Sequence, residues 1–250
     1  MIMRIEHAVL SSPDGTRLVA DIYQPGATVR GGVVLVHGFS ATRRLDPVVE
    51  QARALADAGF AVLTYDSRGH GVSGGECTLG RLEADDVGIA VDHLRGYVDD
   101  VVAVGASMGA IATLSYAVGD PGLAGIVLVS IPTSLRSVLT LRAFAAMVMT
   151  RTPLGRAYMR WTGTRVSSEF RRGDLPTVQV TKLRVPVAIV HGRQDGMIRA
   201  DAALDLYDVT PEPRRVELIE GMGHGFQTAG VAAVTHGVEW AFEQQRLNRR

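Results

Sequence analysis

A chain of 250 residues fits one domain, because a single core can grow to about 250–300 residues before a chain divides. Its 26 basic and 26 acidic side chains balance, which argues against nucleic acid or an anionic membrane as a partner. One cysteine excludes an internal disulfide framework, no apolar run is long enough for a membrane span, and the first residues lack signal-peptide features. We expect a cytoplasmic domain.

The predicted elements begin with an antiparallel hairpin. Two stretches of alternating apolar and polar residues, 6–10 and 18–23, flank a Pro-Asp-Gly-Thr turn at 13–16. Short β-branched runs typical of strands buried on both faces follow, at 32–37, 60–65, 101–105, 125–129, 185–190 and 215–219. Helical spacing lies between them, at 47–58, 79–94, 108–118 and 200–207. This alternation predicts an α/β fold with a mostly parallel sheet and the hairpin on one edge.

The interval 131–184 interrupts that alternation, since it contains no convincing central strand. Its apolar residues predict one helix over about 135–149, and a second short helix is expected around 158–161, after the breaker at 153–155. Insertions of this length in a compact domain are usually functional. We interpret 131–184 as a small helical cap, and 1–130 with 185–250 as the core.

The strongest chemical signal is a Gly-Ala-Ser-Met-Gly sequence at 105–109, which directly follows one predicted strand and precedes a predicted helix. This is the context of a nucleophile elbow, in which a sharp turn presents a serine hydroxyl at the carboxyl edge of a sheet. Ser107 is the predicted nucleophile. The backbone N–H of Met108 and that of Phe39, in a loop after another strand, are the predicted oxyanion donors. His37, beside Phe39, is expected to brace that loop.

The predicted acid and base follow later in the chain. Asp195 ends a His-Gly-Arg-Gln-Asp sequence after one strand, and His224 lies in a glycine-rich segment after the last strand. A serine needs a neighbouring base to accept its proton, and an imidazole does so near neutral pH when a carboxylate fixes its tautomer. The chain order serine, aspartate, histidine is the one expected for this architecture.

These motifs together resemble the α/β-hydrolase superfamily over nearly the whole chain, and within it the small serine esterases and serine aminopeptidase-like hydrolases. The matching segments are 37–39, 65–73, 105–109, 191–195 and 223–224. The resemblance implies eight strands, flanking helices and a helical cap between strands six and seven. Two positions depart from the common pattern: Ala106 replaces a frequent histidine or tyrosine, and Gly196 follows the acid. Neither departure removes a catalytic group.

The remaining polar motifs indicate structure. Asp66, Arg68 and His70 are expected to hold the loop after the fourth strand by hydrogen bonds. No cofactor or metal is predicted, because the histidines lack metal-ligand spacing and the glycine-rich segment 69–75 lacks the Gly-Lys-Ser/Thr ending of a phosphate loop.

The predicted function is hydrolysis of an ester, thioester or amide bond of a small, partly apolar substrate through an acyl-enzyme. The predicted pocket comprises His37, Leu135, Val138, Leu139, Phe144 and Trp161. Eight arginines against two acids in 131–176 suggest an anionic substrate, although solvation of the outer face explains them more simply. Acyl transfer or perhydrolysis, C–C bond hydrolysis and a non-catalytic ligand-binding module stay open, as does a homodimer.

Overall fold

A computed structural model describes residues 3–26, 28–134, 137–138, 150–169 and 174–249. The strands are β1 Arg4–Ser11, β2 Arg17–Gln24, β3 Gly32–Val36, β4 Ala61–Tyr65, β5 Val101–Ala106, β6 Gly125–Val129, β7 Val187–Gly192 and β8 Arg214–Ile219. In the described ranges the α-helices are α1 Asp46–Asp57, α2 Glu83–Arg95, α3 Met108–Gly119, α4 Pro153–Trp161, α5 Pro176–Gln179, α6 Asp201–Val209 and α7 Val231–Asn248. Short 3₁₀ turns lie at Val180–Lys182 and Thr228–Gly230.

The eight strands form one sheet in the order β1-β2-β4-β3-β5-β6-β7-β8. β1 pairs with β2 and β2 with β4 in antiparallel fashion, while the remaining pairs are parallel. The predicted hairpin is therefore confirmed at the edge of a mostly parallel sheet. Because parallel strands carry their carboxyl ends to one edge, the loops after β3, β5, β7 and β8 meet there.

Helices cover both faces of the sheet, and this covering explains why the central strands are apolar throughout. One face packs against α2, α3 and α6, and the other against α1 and α7. Every residue of β3, β5 and β6 is buried. Burial of both faces gives a side chain no polar side to occupy, so the alternation of a half-exposed strand is absent.

One helix prediction needs correction, and one helix was missed. The helix predicted from residue 79 begins at Glu83, because Leu79 and Gly80 have φ of 59° and 105°, outside the right-handed helical region. The Glu83 carboxylate accepts the backbone N–H groups of Thr78 and Gly80, at 2.7 and 2.9 Å. The 18-residue helix α7 was not predicted at all.

Part of the predicted cap is attached to the core by backbone pairing. Val166 forms a parallel bridge with Cys77, and the Arg165 N–H donates to the Gly69 carbonyl at 2.7 Å. The Arg165 guanidinium also donates to the carbonyls of Ser73 and Gly75. The predicted short helix is α4, which starts earlier because Pro153 occupies its first turn. The predicted helix over about 135–149 falls almost wholly outside the described residues, and the cap boundaries stay a prediction.

None of the helices in the described ranges combines the length and the apolarity that crossing a bilayer requires.

Candidate active site

Ser107 lies in a strained turn between β5 and α3. Its backbone has φ 53° and ψ −113°, a region that residues with a side chain seldom adopt. The Ser107 N–H donates to the Val129 carbonyl of β6 at 2.9 Å, which holds the turn against the neighbouring strand. The hydroxyl consequently stands at the carboxyl edge of the sheet, beside the positive end of α3.

The two glycines of the turn are required by close backbone contacts. A Cβ on Gly105 would lie 2.3 Å from the Gly109 carbonyl oxygen. A Cβ on Gly109 would lie 2.5 Å from the Val36 carbonyl oxygen and 2.6 Å from that of His37. The start of α3 therefore packs directly on the end of β3, and only residues without a side chain allow this approach.

Gly109→Ala is expected to lower the free energy of unfolding by about 1–3 kcal/mol, the usual cost of overpacking. Activity is also expected to fall, because the turn at Ser107 must shift to relieve the contact with β3. Gly119→Ala is the matched control in α3, since a Cβ there meets no atom within 4 Å. Urea denaturation of both variants measures the difference, and equal stability would contradict the packing argument.

The structure brings the three predicted catalytic residues together in one hydrogen-bond relay. Ser107 Oγ lies 2.9 Å from His224 Nε2, and His224 Nδ1 lies 2.8 Å from Asp195 Oδ2. Because an ionised carboxylate only accepts, the ring proton belongs on Nδ1, and Nε2 is free to accept the serine proton. The Asp195 side chain is fully buried, whereas that of His224 is 19% exposed.

The environment of Asp195 keeps its carboxylate ionised. Burial acts to raise the pKa of Asp195, but the hydrogen bonds from His224, Ile198 and Met197 outweigh burial and hold the pKa below its usual value. The N–H groups of Met197 and Ile198 donate to Oδ1 at 2.8 and 2.9 Å, while Oδ2 faces His224 Nδ1 at 2.8 Å and lies 3.4 Å from His191 Nε2. His191, buried at the end of β7, has its Nε2 3.2 Å from the Ile198 carbonyl and so helps to hold this loop.

Two residues that sequence analysis did not identify position the loop of His224. The Ser130 hydroxyl, at the end of β6, accepts the Gly225 N–H at 3.2 Å. The Gln227 side chain accepts the Gly223 N–H at 2.7 Å. Ser130 has a left-handed φ of 48°, and that unusual backbone became visible only with the fold.

The backbone N–H groups of the two predicted oxyanion donors, Phe39 and Met108, form no hydrogen bond with any residue that the structure describes. The loop of Phe39 also lies against the nucleophile, because a Cβ on Gly38 would be 3.4 Å from Ser107 Cβ. Backbone N–H groups near a serine hydroxyl are the kind of donor that can stabilise a developing oxyanion, and the role of these two stays a prediction.

His37 braces the loop after β3, as the sequence predicted. It is completely buried, with Nδ1 2.8 Å from the Gly38 carbonyl and Nε2 3.0 Å from the Ser67 nitrogen. The second prediction, that His37 lines the pocket, gains no support from this burial. Burial and the nearby His70 lower the pKa of His37 to about 4, so the ring is neutral at physiological pH.

Acid is expected to destabilise the protein partly through His37. The folded state binds the proton less readily than the unfolded chain, so the free energy of unfolding is highest above pH 6.5 and falls toward pH 4. The shift from 6.5 to about 4 corresponds to about 3 kcal/mol. His37→Asn removes this titration. The difference in the free energy of unfolding between wild type and variant should narrow from pH 7 to pH 4. A constant difference would show that protonation of His37 does not contribute to the loss of stability.

The Asp66–His70 turn is held by buried polar contacts, as predicted. Asp66 accepts the backbone N–H groups of Arg43 and Val72, at 2.9 and 3.0 Å. Arg68 forms a buried ion pair with Asp86 at 2.6 Å, which ties the turn to α2. These contacts connect the turn to α2 and, through Arg43, to the loop after β3.

The structure describes only some of the predicted pocket residues. Leu135, Leu139 and Phe144 lie outside the described residues. Val138 forms a bridge with Ile198, next to the Asp195 loop. Trp161 is 82% exposed on α4, in contact with the Tyr158 ring, and its role in the pocket stays a prediction.

In the ranges that the structure describes, no group of three His, Cys, Asp or Glu side chains lies close enough together to bind a metal ion. Cys77 is buried, and burial raises the pKa of its thiol well above the usual value, so it is not a reactive thiolate.

Comparison with known proteins supports the fold. An esterase of Pyrococcus furiosus superposes with a TM-score of 0.68 at 20% identity, over 99% of this chain and 93% of that one. The fold is that of an α/β hydrolase. A model of the family described as serine aminopeptidase, S33 matches residues 27–167, and the chain belongs to this family of hydrolases.

Two mycobacterial proteins are similar in sequence. An uncharacterized protein of Mycobacterium tuberculosis is 28% identical over 222 residues, which cover 86% of this chain and 71% of the relative. A monoacylglycerol lipase of Mycolicibacterium smegmatis is 32% identical over 129 residues, which cover 48% of this chain and 43% of the lipase.

Proposed function

We propose that the protein is a serine hydrolase that cleaves a carboxylic ester of a small, partly apolar substrate, with Ser107 as the nucleophile. The observation that carries this proposal is the relay from Ser107 Oγ through His224 to Asp195, with hydrogen-bond distances of 2.9 and 2.8 Å. A buried carboxylate, an imidazole in the required tautomer and a strained serine together match the requirements of acyl transfer.

The reaction proceeds in two steps. Ser107 Oγ attacks the carbonyl carbon while His224 Nε2 takes the hydroxyl proton, and the N–H groups of Phe39 and Met108 stabilise the oxyanion. The tetrahedral intermediate collapses, His224 returns the proton to the leaving oxygen, and an alcohol departs. Water then repeats the sequence on the acyl-enzyme, which releases a carboxylic acid and restores Ser107.

An ester is the favoured bond because the chain resembles a monoacylglycerol lipase over 129 residues. The description of the matched family, serine aminopeptidase, names an amide-cleaving activity and does not favour an ester. Thioesters and amides can be cleaved by the same machinery and are the alternatives to an ester. An anionic substrate is less favoured, because the Arg165 and Arg156 side chains donate to backbone carbonyls and Arg160 lies 3.7 Å from Glu76.

Hydrolysis of p-nitrophenyl esters from acetate to decanoate tests the proposal. Turnover with an optimum acyl length is expected, because the substrate is proposed to carry an apolar acyl group. A fluorophosphonate probe should form one adduct, and peptide mass analysis should locate it on Ser107. Labelling without ester turnover would retain the nucleophile and reject the ester as substrate. The absence of both would reject the serine mechanism.

A further inference from the structure

The two peptide groups on either side of Phe39 are each held by a buried histidine. Phe39 carries one proposed oxyanion donor, so the orientation of its N–H matters for the chemistry proposed above. His37 contacts the Gly38–Phe39 peptide group, and His70 contacts the Phe39–Ser40 peptide group. Both rings are buried and lie edge to face, with centroids 5.2 Å apart.

His37 orients the peptide group that contains the donor itself. Its Nδ1 lies 2.8 Å from the Gly38 carbonyl oxygen, which can only accept, so Nδ1 carries the proton. In a planar trans peptide the Gly38 C=O and the Phe39 N–H point in opposite directions. A hydrogen bond that fixes the carbonyl on the His37 side therefore turns the Phe39 N–H away from His37.

His70 fixes the next peptide group through its other nitrogen. The Ser40 N–H can only donate, and it lies 3.2 Å from His70 Nε2, so Nε2 carries a lone pair. His70 Nδ1 lies 3.0 Å from the Arg68 carbonyl and donates to it. Ser40 has a left-handed φ of 60°, a conformation that costs energy in a residue with a side chain and needs such a contact to persist.

We propose that His37 and His70 are positioning residues of the oxyanion hole, which hold the peptide groups before and after Phe39 with their neutral, Nδ1-protonated rings. This inference rests on the serine hydrolase mechanism proposed above. His37 acts on the site through Nδ1 and is anchored to Ser67 through Nε2. His70 acts on the site through Nε2 and is anchored to Arg68 through Nδ1.

The charged groups around the rings are consistent with two neutral histidines. Asp66 acts on both rings, Glu83 and Arg165 act on His70, and His70 acts on His37. Asp66 is already occupied by N–H donors from Arg43 and Val72. Burial dominates at both positions and lowers the pKa of each ring.

The opposite use of the two nitrogens allows a crossed experiment. An asparagine amide replaces a ring at the Nδ1 position, and a glutamine amide reaches the Nε2 position. His37→Asn and His70→Gln therefore keep the contact with the oxyanion loop and lose the anchor. His37→Gln and His70→Asn keep the anchor and lose the contact with the loop.

We expect kcat to fall by about 10–100-fold in His37→Gln and His70→Asn, part of the loss that follows removal of a whole oxyanion donor. KM for the best p-nitrophenyl ester should change little, because the donor acts mainly on the transition state. His37→Asn and His70→Gln should keep kcat within about fivefold of wild type. A trifluoromethyl ketone forms an adduct that carries the oxyanion. Its affinity should therefore fall in His37→Gln and His70→Asn and stay near that of wild type in His37→Asn and His70→Gln.

If the two histidines had a merely structural role, asparagine would not be the better substitute at position 37 and glutamine the better substitute at position 70. Equal losses in both variants at one position, or larger losses in His37→Asn and His70→Gln, would overturn the inference. Ring ¹⁵N chemical shifts of the wild-type protein give a test that needs no variant to fold. They should show neutral, Nδ1-protonated rings for both histidines at pH 7.5, and an Nε2-protonated ring at either position would overturn it.

The failure of this inference differs from failure of the proposed function. If Ser107→Ala abolishes turnover but positions 37 and 70 show no opposite preference for asparagine and glutamine, only the positioning role is wrong. If Ser107→Ala retains wild-type turnover, the serine mechanism is wrong, and the positioning role is wrong with it.

Discussion

Ser107→Ala is expected to lower kcat for ester hydrolysis by about a million-fold, the size of loss found when the nucleophile of a triad is removed. The hydroxyl is the atom that forms the acyl-enzyme, and no described side chain replaces it in the relay with His224. KM should change little, since one oxygen contributes little to binding. Steady-state kinetics with the best ester of the p-nitrophenyl series measures the effect.

Ser115→Ala is the matched control for that variant. Ser115 lies on α3, the helix that follows Ser107, and its hydroxyl contacts Gln179 at 3.0 Å. It should retain full turnover, and both variants should unfold at the wild-type temperature within a few degrees. A Ser107→Ala enzyme that keeps more than a hundredth of the wild-type kcat would show that another group is the nucleophile.

Asp195→Asn is expected to lower kcat by about ten-thousand-fold with little change in the fold. The amide oxygen can still accept the N–H groups of Met197 and Ile198, so the loop should keep its shape. The amide NH₂ then faces His224 Nδ1 and selects the tautomer with its proton on Nε2. That ring cannot accept the proton of Ser107, and the loss appears in kcat.

Asp201→Asn is the control for this substitution, because Asp201 begins α6 and its exposed carboxylate pairs with Arg199. It should leave kcat unchanged. NMR of the His224 ring should show the proton on Nδ1 in wild type and on Nε2 in Asp195→Asn. Wild-type turnover in Asp195→Asn would mean that Asp195 only holds its loop.

The fold predictions succeeded where the signal is local. The strand predicted at 125–129 is β6 with the same bounds, and the helix predicted at 108–118 is α3, one residue longer. Buried parallel strands are apolar on both faces, and their runs end where the chain leaves the sheet. The ends of other strands depend on pairing with strands that are distant in the chain. β7, for example, begins at Val187, two residues after the predicted start.

The missed helix α7 had a readable signal. Val234, Val238, Ala241, Phe242 and Gln245 are buried at spacings of three, four and one, which is a helical stripe. Its apolar face packs against β6 and β7 on the same side of the sheet as α1. The sequence therefore contained the helix, whereas the face that it covers follows from the sheet order.

The sequence by itself determined the class of fold, the order of the motifs and the identity of Ser107, Asp195 and His224 as candidates. Each is a local property, because a strand, a turn and a helix are recognisable within about ten residues. The tertiary structure decided that Ser107 and His224, 117 positions apart, lie 2.9 Å from each other. It also decided which nitrogen of His37 and of His70 carries the proton, since a tautomer depends on partners that only folding brings within hydrogen-bond distance.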